Sequence, residues 1–250
     1  MAADGLSGKR VLVTGAGANI GAAIARALAA RGARLALVDR DGDRARAIAR
    51  ELGGLPLVAD VTRADELDAA AGSALDRLDG LDGLVNNAGY GYVTPILETP
   101  PEDFAYTLAI NLTAPWLLGR RVVPRMPAGS AIVNLISIYG VVAAPDRAGY
   151  CASKAGLAML TRVQAIEWAG RGIRVNGIAP GYVETDEVRG LIRAGKVDVD
   201  RLRARTPMGR MGTVEEIALA ACYLLDSTRS PYVTGHVLGV DGGWAAYGYV

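Results

Sequence analysis

A chain of 250 residues with net charge +1, 51% hydrophobic residues and 32 Gly can bury a large core and make many tight turns, which a disordered chain cannot. Acids and bases are interspersed, leaving no cationic footprint for a nucleic acid, and no apolar run reaches the roughly 18 residues of a membrane span. The polar start from Met1 to Arg10 lacks the basic-then-apolar order of a signal peptide, so the expectation is a soluble cytoplasmic protein whose partner is a small molecule, not nucleic acid or membrane.

Apolar, β-branched runs alternate with alanine-rich helical stretches. The first strand, Arg10 to Val13, runs through Thr14 into Gly15, Gly17 and Gly21, and residues 22–30 are strongly helical. Glycines there let the backbone approach a pyrophosphate, and free amides at a helix N-terminus stabilise its charge. Gly15, Gly17, Asn19, Ile20 and Gly21 are therefore the candidate phosphate turn. The second strand, Arg34 to Val38, is closed by Asp39, where an acid accepts hydrogen bonds from adenosine ribose hydroxyls and repels a 2′-phosphate. That favours NAD over NADP, although the neighbouring Arg40 is suited to a phosphate. It argues against the alternative of an NADPH-dependent 3-oxoacyl thioester reductase, and a non-catalytic NAD-binding sensor or scaffold is the other alternative.

The third strand, Leu55 to Val58, leads to Asp60 and Val61, where adenine would lie, and the fourth, Gly83 to Val85, leads to Asn86, Asn87, Ala88 and Gly89. The fifth, Ala131 to Leu135, ends near Ser137. Tyr150 and Lys154 follow at a spacing that places phenol and ammonium on one helix face. Bringing a tyrosine from its ordinary value of about 10 to neutrality needs about 4 kcal/mol of differential stabilisation. Lys154 and a cationic nicotinamide are the expected sources, with Ser137 holding the substrate oxygen. Strands at Arg174 to Ile178 and Val237 to Val240 complete the alternation.

Near-continuous hydrophobicity in these runs implies strands covered on both faces: a single α/β domain over residues 1–250, a three-layer, doubly wound Rossmann fold with a mostly parallel seven-stranded sheet. Residues 184–211, with Arg193, Lys196, Arg201, Arg203 and Arg205, are either a substrate lid or a solvated helical hairpin. Tyr90, Tyr92, Tyr139 and Tyr182 offer flat faces with hydroxyl tips, suited to a cyclic alcohol, sugar or polyol. Cys151 and Cys222 are too few for a disulfide framework and lack metal-ligand neighbours, and the lone His236 reads as structural. The aromatic tail from Trp244 to Val250 is expected to pack on another subunit or across the site mouth.

On these motifs the chain resembles the short-chain dehydrogenases/reductases from about Leu6 to Gly243. The glycine turn matches through Thr14, Gly15 and Gly21, the second motif through Asn86 to Gly89, and the catalytic set through Asn111, Ser137, Tyr150 and Lys154. The resemblance implies that Asn111 anchors a water relay and that Lys154 also binds the nicotinamide ribose. It further implies that Pro180, Gly181, Val183 and Thr185 cover the nicotinamide, and that four copies assemble through the helices holding Asn111 and Tyr150, with Trp116 in the contact. The chain departs from the family at Asn19, where a glycine is usual, and at Ile136, which replaces a frequent serine. Asn tolerates left-handed backbone, and Gly17 is expected to add slack.

Overall fold

The computed structural model describes residues 5–195 and 197–248. The first four residues, Lys196 and the last two residues of the aromatic tail lie outside the described residues, and with them part of the expectations for the start, the lid and the tail.

Seven strands form one sheet: β1 (Arg10–Thr14), β2 (Arg34–Asp39), β3 (Leu55–Val58), β4 (Gly83–Asn86), β5 (Ala131–Leu135), β6 (Arg174–Pro180) and β7 (Val237–Val240). Their order is β3-β2-β1-β4-β5-β6-β7, and all six pairings are parallel. Every strand anticipated from the apolar runs is present, with β1, β2, β4 and β6 extended by one or two residues at the carboxyl end. Nine α-helices connect them among the described residues: α1 (Asn19–Ala29), α2 (Gly42–Leu52), α3 (Ala64–Arg77), α4 (Pro101–Leu108), α5 (Ala114–Val122), α6 (Ala148–Ala169), α7 (Asp186–Arg193), α8 (Val199–Arg205) and α9 (Val214–Leu225).

Successive strand residues point to opposite faces, so each strand feeds two cores. Val11 and Val13 pack with Ile24, Leu28 and Ile217 under α1 and α9. Leu12 and Leu84 pack with Leu67, Leu75 and Leu118 under α3 and α5. Covering on both faces leaves the carboxyl edge of the sheet as the place where loops converge. The order reverses at β1, which lies between β2 and β4, and a crevice opens there.

The helical run from α4 to α5 is interrupted by a π-turn, Ala109–Thr113, which carries Asn111 at its centre. The extra residue in that turn redirects the local side chains, a device often found at functional positions. Residues 184–211 contain α7 and α8, joined to the body by the parallel bridge Val183–Gly212. The segment is thus a pair of short helices, and one face of α7 borders the crevice through Glu187, Val188 and Leu191. Among the described residues no helix is long and apolar enough to cross a membrane.

Candidate active site

The glycine turn sits at the β1 end of the crevice. Gly15 has φ 61°, and a Cβ on Gly21 would lie 2.0 Å from the Gly15 carbonyl oxygen, so neither position admits a side chain without moving backbone. Asn87 braces the turn by donating from Nδ2 to the carbonyls of Thr14 and Gly15, each at 3.0 Å. Asn19 adopts φ 48°, the left-handed conformation that asparagine tolerates, and thereby replaces the usual glycine without rebuilding the turn. Its side chain does something a glycine cannot: Oδ1 accepts from the backbone N–H of Asp186 at 3.0 Å, tying the start of α7 to the turn.

Gly17 differs from the expectation. It lends no slack: a Cβ there would meet Arg44 Cβ at 2.6 Å and Asp39 Oδ2 at 2.8 Å, and it is not in the cleft wall. Its N–H donates to Asp39 Oδ2 at 2.9 Å, while Asp41 N–H donates to Asp39 Oδ1 at 3.0 Å. Gly17 therefore positions the acid. Asp39, Arg40, Asp60 and Val61 line a smaller recess with Ala88, Gly89 and Tyr106. Arg40 Nη1 donates to the Tyr106 hydroxyl at 3.3 Å, which engages the guanidinium within this recess. Tyr106 carries no motif signal and was missed in the sequence; it stacks edge-on against Tyr90, ring centroids 5.4 Å apart.

The main cleft has a volume of about 740 Å³ and is lined by Gly15, Asn19, Ile20 and Gly21 together with Ser137, Tyr150, Lys154, Pro180 to Val183 and Thr185. A cleft of that size holds a small substrate together with part of a cofactor. Asn111 is fully buried but engaged elsewhere: Oδ1 accepts from Tyr90 N–H at 3.0 Å, and Nδ2 donates to Tyr90 O at 2.8 Å and to Ser153 Oγ at 3.0 Å. It holds the Tyr90 backbone and, with Lys154 Nζ, borders Gly89.

Tyr150 opens α6 and Lys154 stands one turn later. Lys154 is buried, donates from Nζ to the Leu135 carbonyl at 2.7 Å and lies 5.7 Å from the Tyr150 ring centroid. Ser137 lies two residues past β5, as the cap of a short 3₁₀ turn, and its hydroxyl accepts from Tyr139 N–H at 3.1 Å. Burial pushes the Tyr150 phenol up to about 12, with a hydrogen bond to Ser137 working against that rise. Burial likewise pulls the Lys154 amine down to about 7. Burial of the phenol thus outweighs the lowering by Ser137 in the chain by itself, whereas the expected lowering calls on Lys154 together with a cationic nicotinamide.

The four tyrosines divide. Tyr139 and Tyr182 pair through their hydroxyls at 2.7 Å, and burial with that bond keeps the Tyr139 phenol protonated well above its usual range. Tyr90 lies between the two recesses. Tyr92 lines the cleft with its ring, but its hydroxyl is buried against Gly149 without a hydrogen-bond partner, so it offers no hydroxyl tip to a ligand. The described part of the tail packs on its own chain: the Trp244 ring lies 5.2 Å from Tyr182, and Arg205 sits over Trp244 and Tyr247. His236 uses its backbone, accepting from Gly177 N–H and donating to Asn176 Oδ1.

The Lys154 amine near 7 in the fold, against an ordinary 10.5, makes the unfolded chain bind more protons between those values. The penalty for burying it is full below about pH 7 and is relieved as pH rises toward 10.5. Unliganded wild type should therefore gain stability relative to Lys154→Met across that window, measured by urea unfolding; parallel curves for the two proteins would contradict the assignment.

Comparison with known proteins converges with this geometry. The family model described as enoyl-(acyl carrier protein) reductase matches residues 15–245. An uncharacterized short-chain type dehydrogenase/reductase, y4vI, of Sinorhizobium fredii is 41% identical over 95% of this chain, which spans only 44% of that relative. Galactitol 2-dehydrogenase (L-tagatose-forming) of Cereibacter sphaeroides is 43% identical, with 97% of each chain covered. The crystal structure of a short-chain type dehydrogenase/reductase from Mycobacterium marinum has a TM-score of 0.89 at 33% identity, covering 96% of each chain. The chain belongs to the short-chain dehydrogenase/reductase family, oxidoreductases that bind a nicotinamide cofactor and act on alcohol groups.

Proposed function

We propose that the chain is an NAD-linked dehydrogenase that interconverts a secondary alcohol, of the polyol, sugar or cyclic class, with its ketone, using Tyr150 as the acid/base. The observation that carries this reading is the placement of Ser137, Tyr150 and Lys154 together in the wall of the cleft that also opens onto the glycine turn. The likeness to galactitol 2-dehydrogenase over nearly the whole chain supports a polyol.

The residues present fit the dinucleotide. Gly15 and Gly21 leave backbone open to a pyrophosphate at the first turn of α1, and Asn87 to Gly89 with Pro180 to Thr185 wall the cleft around the nicotinamide end. Asp39 supports NAD: an ionised carboxylate has about four lone-pair sites. Gly17 and Asp41 N–H groups occupy two, which leaves acceptors for both ribose hydroxyls and a negative charge against a 2′-phosphate. When bound, the oxidised nicotinamide supplies the hydride acceptor and a positive charge.

In the alcohol-oxidising direction the Ser137 hydroxyl orients the carbinol oxygen and Tyr150 takes its proton. Moving the phenol from about 12 to neutrality asks for differential stabilisation of about 1.4 kcal/mol for each pH unit. Protonated Lys154 supplies part of this, because a buried ammonium and a buried phenolate each lower the cost of charging the other. The Leu135 carbonyl holds the ammonium in place. Asn111 fixes the Tyr90 backbone beside Gly89 and so shapes the space behind Lys154, where a proton relay would pass. Trp116 on α5 and Met159, Val163 and Ile166 on α6 leave an exposed apolar face, which supports assembly through these helices into the homotetramer usual for the family.

Purified protein assayed with NAD against polyols, sugars and cyclic alcohols, by absorbance of the reduced nicotinamide, should show turnover with at least one of them. Tyr150→Phe should retain NADH binding, read by fluorescence titration, and lose turnover by a factor on the order of 10² or more; undiminished turnover would exclude Tyr150 as the acid/base. Asp39→Ala should shift the ratio of kcat/KM for NAD over NADP toward NADP by roughly tenfold or more. A ratio that stays put would exclude Asp39 as the ribose-binding acid.

A further inference from the structure

The cleft contains a carboxylate that the proton chemistry does not use. Glu187 stands in the first turn of α7 and faces the same space as Ser137, Tyr139, Tyr150 and Tyr182. Its neighbours are committed: Glu184 and Asp186 pair with Arg189, and the Asp186 N–H is held by Asn19. Among the described residues the Glu187 side chain has no hydrogen bond or ion pair, and burial raises its carboxyl from the ordinary value. Three other ionisable side chains of the charged types line the cleft, Asp103, Arg147 and Lys154. The Arg147 guanidinium lies 5.4 Å from the Tyr139 ring centroid and donates from Nη1 to the Pro145 carbonyl. At the Tyr150 oxygen the charge of Glu187 raises the phenol more than Arg147 lowers it, so the carboxylate of Glu187 is felt where substrate reacts.

An ionised carboxylate with free lone pairs accepts hydrogen bonds and donates none, and it repels a second anion in a partly desolvated cleft. We propose that Glu187 is a specificity-determining residue that accepts a hydrogen bond from a substrate hydroxyl other than the one oxidised, committing the cleft to neutral polyhydroxylated alcohols over alcohols that carry a carboxylate. The proposal rests on reading the cleft as an alcohol dehydrogenase site and sharpens the substrate class of that site. Asn19 contributes indirectly, since its bond to Asp186 sets where the first turn of α7, and hence Glu187, stands.

The test compares wild type with Glu187→Gln on three probes with NAD: galactitol, its acid counterpart galactonate, and cyclohexanol, which has no second hydroxyl. Glu187→Gln should lower kcat/KM for galactitol by roughly tenfold or more, mainly through KM, leave cyclohexanol within about threefold, and raise the galactonate-to-galactitol ratio by about tenfold or more. An unchanged ratio, or equal losses on galactitol and cyclohexanol, would overturn the role of Glu187 while leaving the dehydrogenase reading intact. Wild type that oxidises cyclohexanol but not galactitol would do the same. Wild type inactive on every alcohol would overturn the dehydrogenase reading, and the inference with it.

Discussion

The hydrogen bond from Lys154 Nζ to the Leu135 carbonyl ties the start of α6 to the carboxyl end of β5, and the rest of the site depends on that tie. It fixes the register between helix and strand, so that Tyr150, one turn before Lys154, meets Ser137, two residues beyond Leu135. A buried amine satisfied by one carbonyl costs less than an orphaned one, yet it still loses much of its affinity for a proton. The unliganded chain thus holds a protonated phenol and a lysine that titrates near neutrality. Neither group is an effective base or a fixed cation by itself. Charging one makes charging the other easier, and that coupling lets the pair respond to whatever binds beside it.

Around this pair the fold supplies position. Strands covered on both faces deliver Thr14, Asn86 and Leu135 to one edge of the sheet, and the reversal of strand order at β1 opens the crevice between them. The two recesses separate tasks. One carries Asp39, braced by the Gly17 and Asp41 amides, and the other carries Ser137, Tyr150 and Lys154. Asn19 connects the glycine turn to α7, so the first turn of α7, which borders the cleft, is anchored on that turn.

Much of this was legible in the sequence because it is local. The β-branched runs mark all seven strands, since a strand buried on both faces leaves an unbroken apolar signature. The Tyr150–Lys154 spacing is read from helical geometry alone, and the left-handed Asn19 follows from the conformational tolerance of that residue. What escaped depends on contacts between distant elements. Gly17 looked like slack but is pinned between Arg44 and Asp39. Tyr92 looked like a hydroxyl donor, but the helix at Gly149 buries its hydroxyl. Tyr106 and Glu187 lie on helices whose local pattern says nothing about the cleft they face. The rise in the Tyr150 phenol also follows from burial, which spacing does not encode.

The most direct test of the coupled pair is the ionisation of Tyr150 itself, followed as phenolate ultraviolet absorbance in wild type minus Tyr150→Phe, with and without NAD. Without cofactor, the phenol should stay protonated through the ordinary tyrosine range and ionise only toward about 12. With NAD bound, its midpoint should fall by several pH units toward neutrality. Ionisation near neutrality in the unliganded protein, or the same midpoint in both states, would contradict the account.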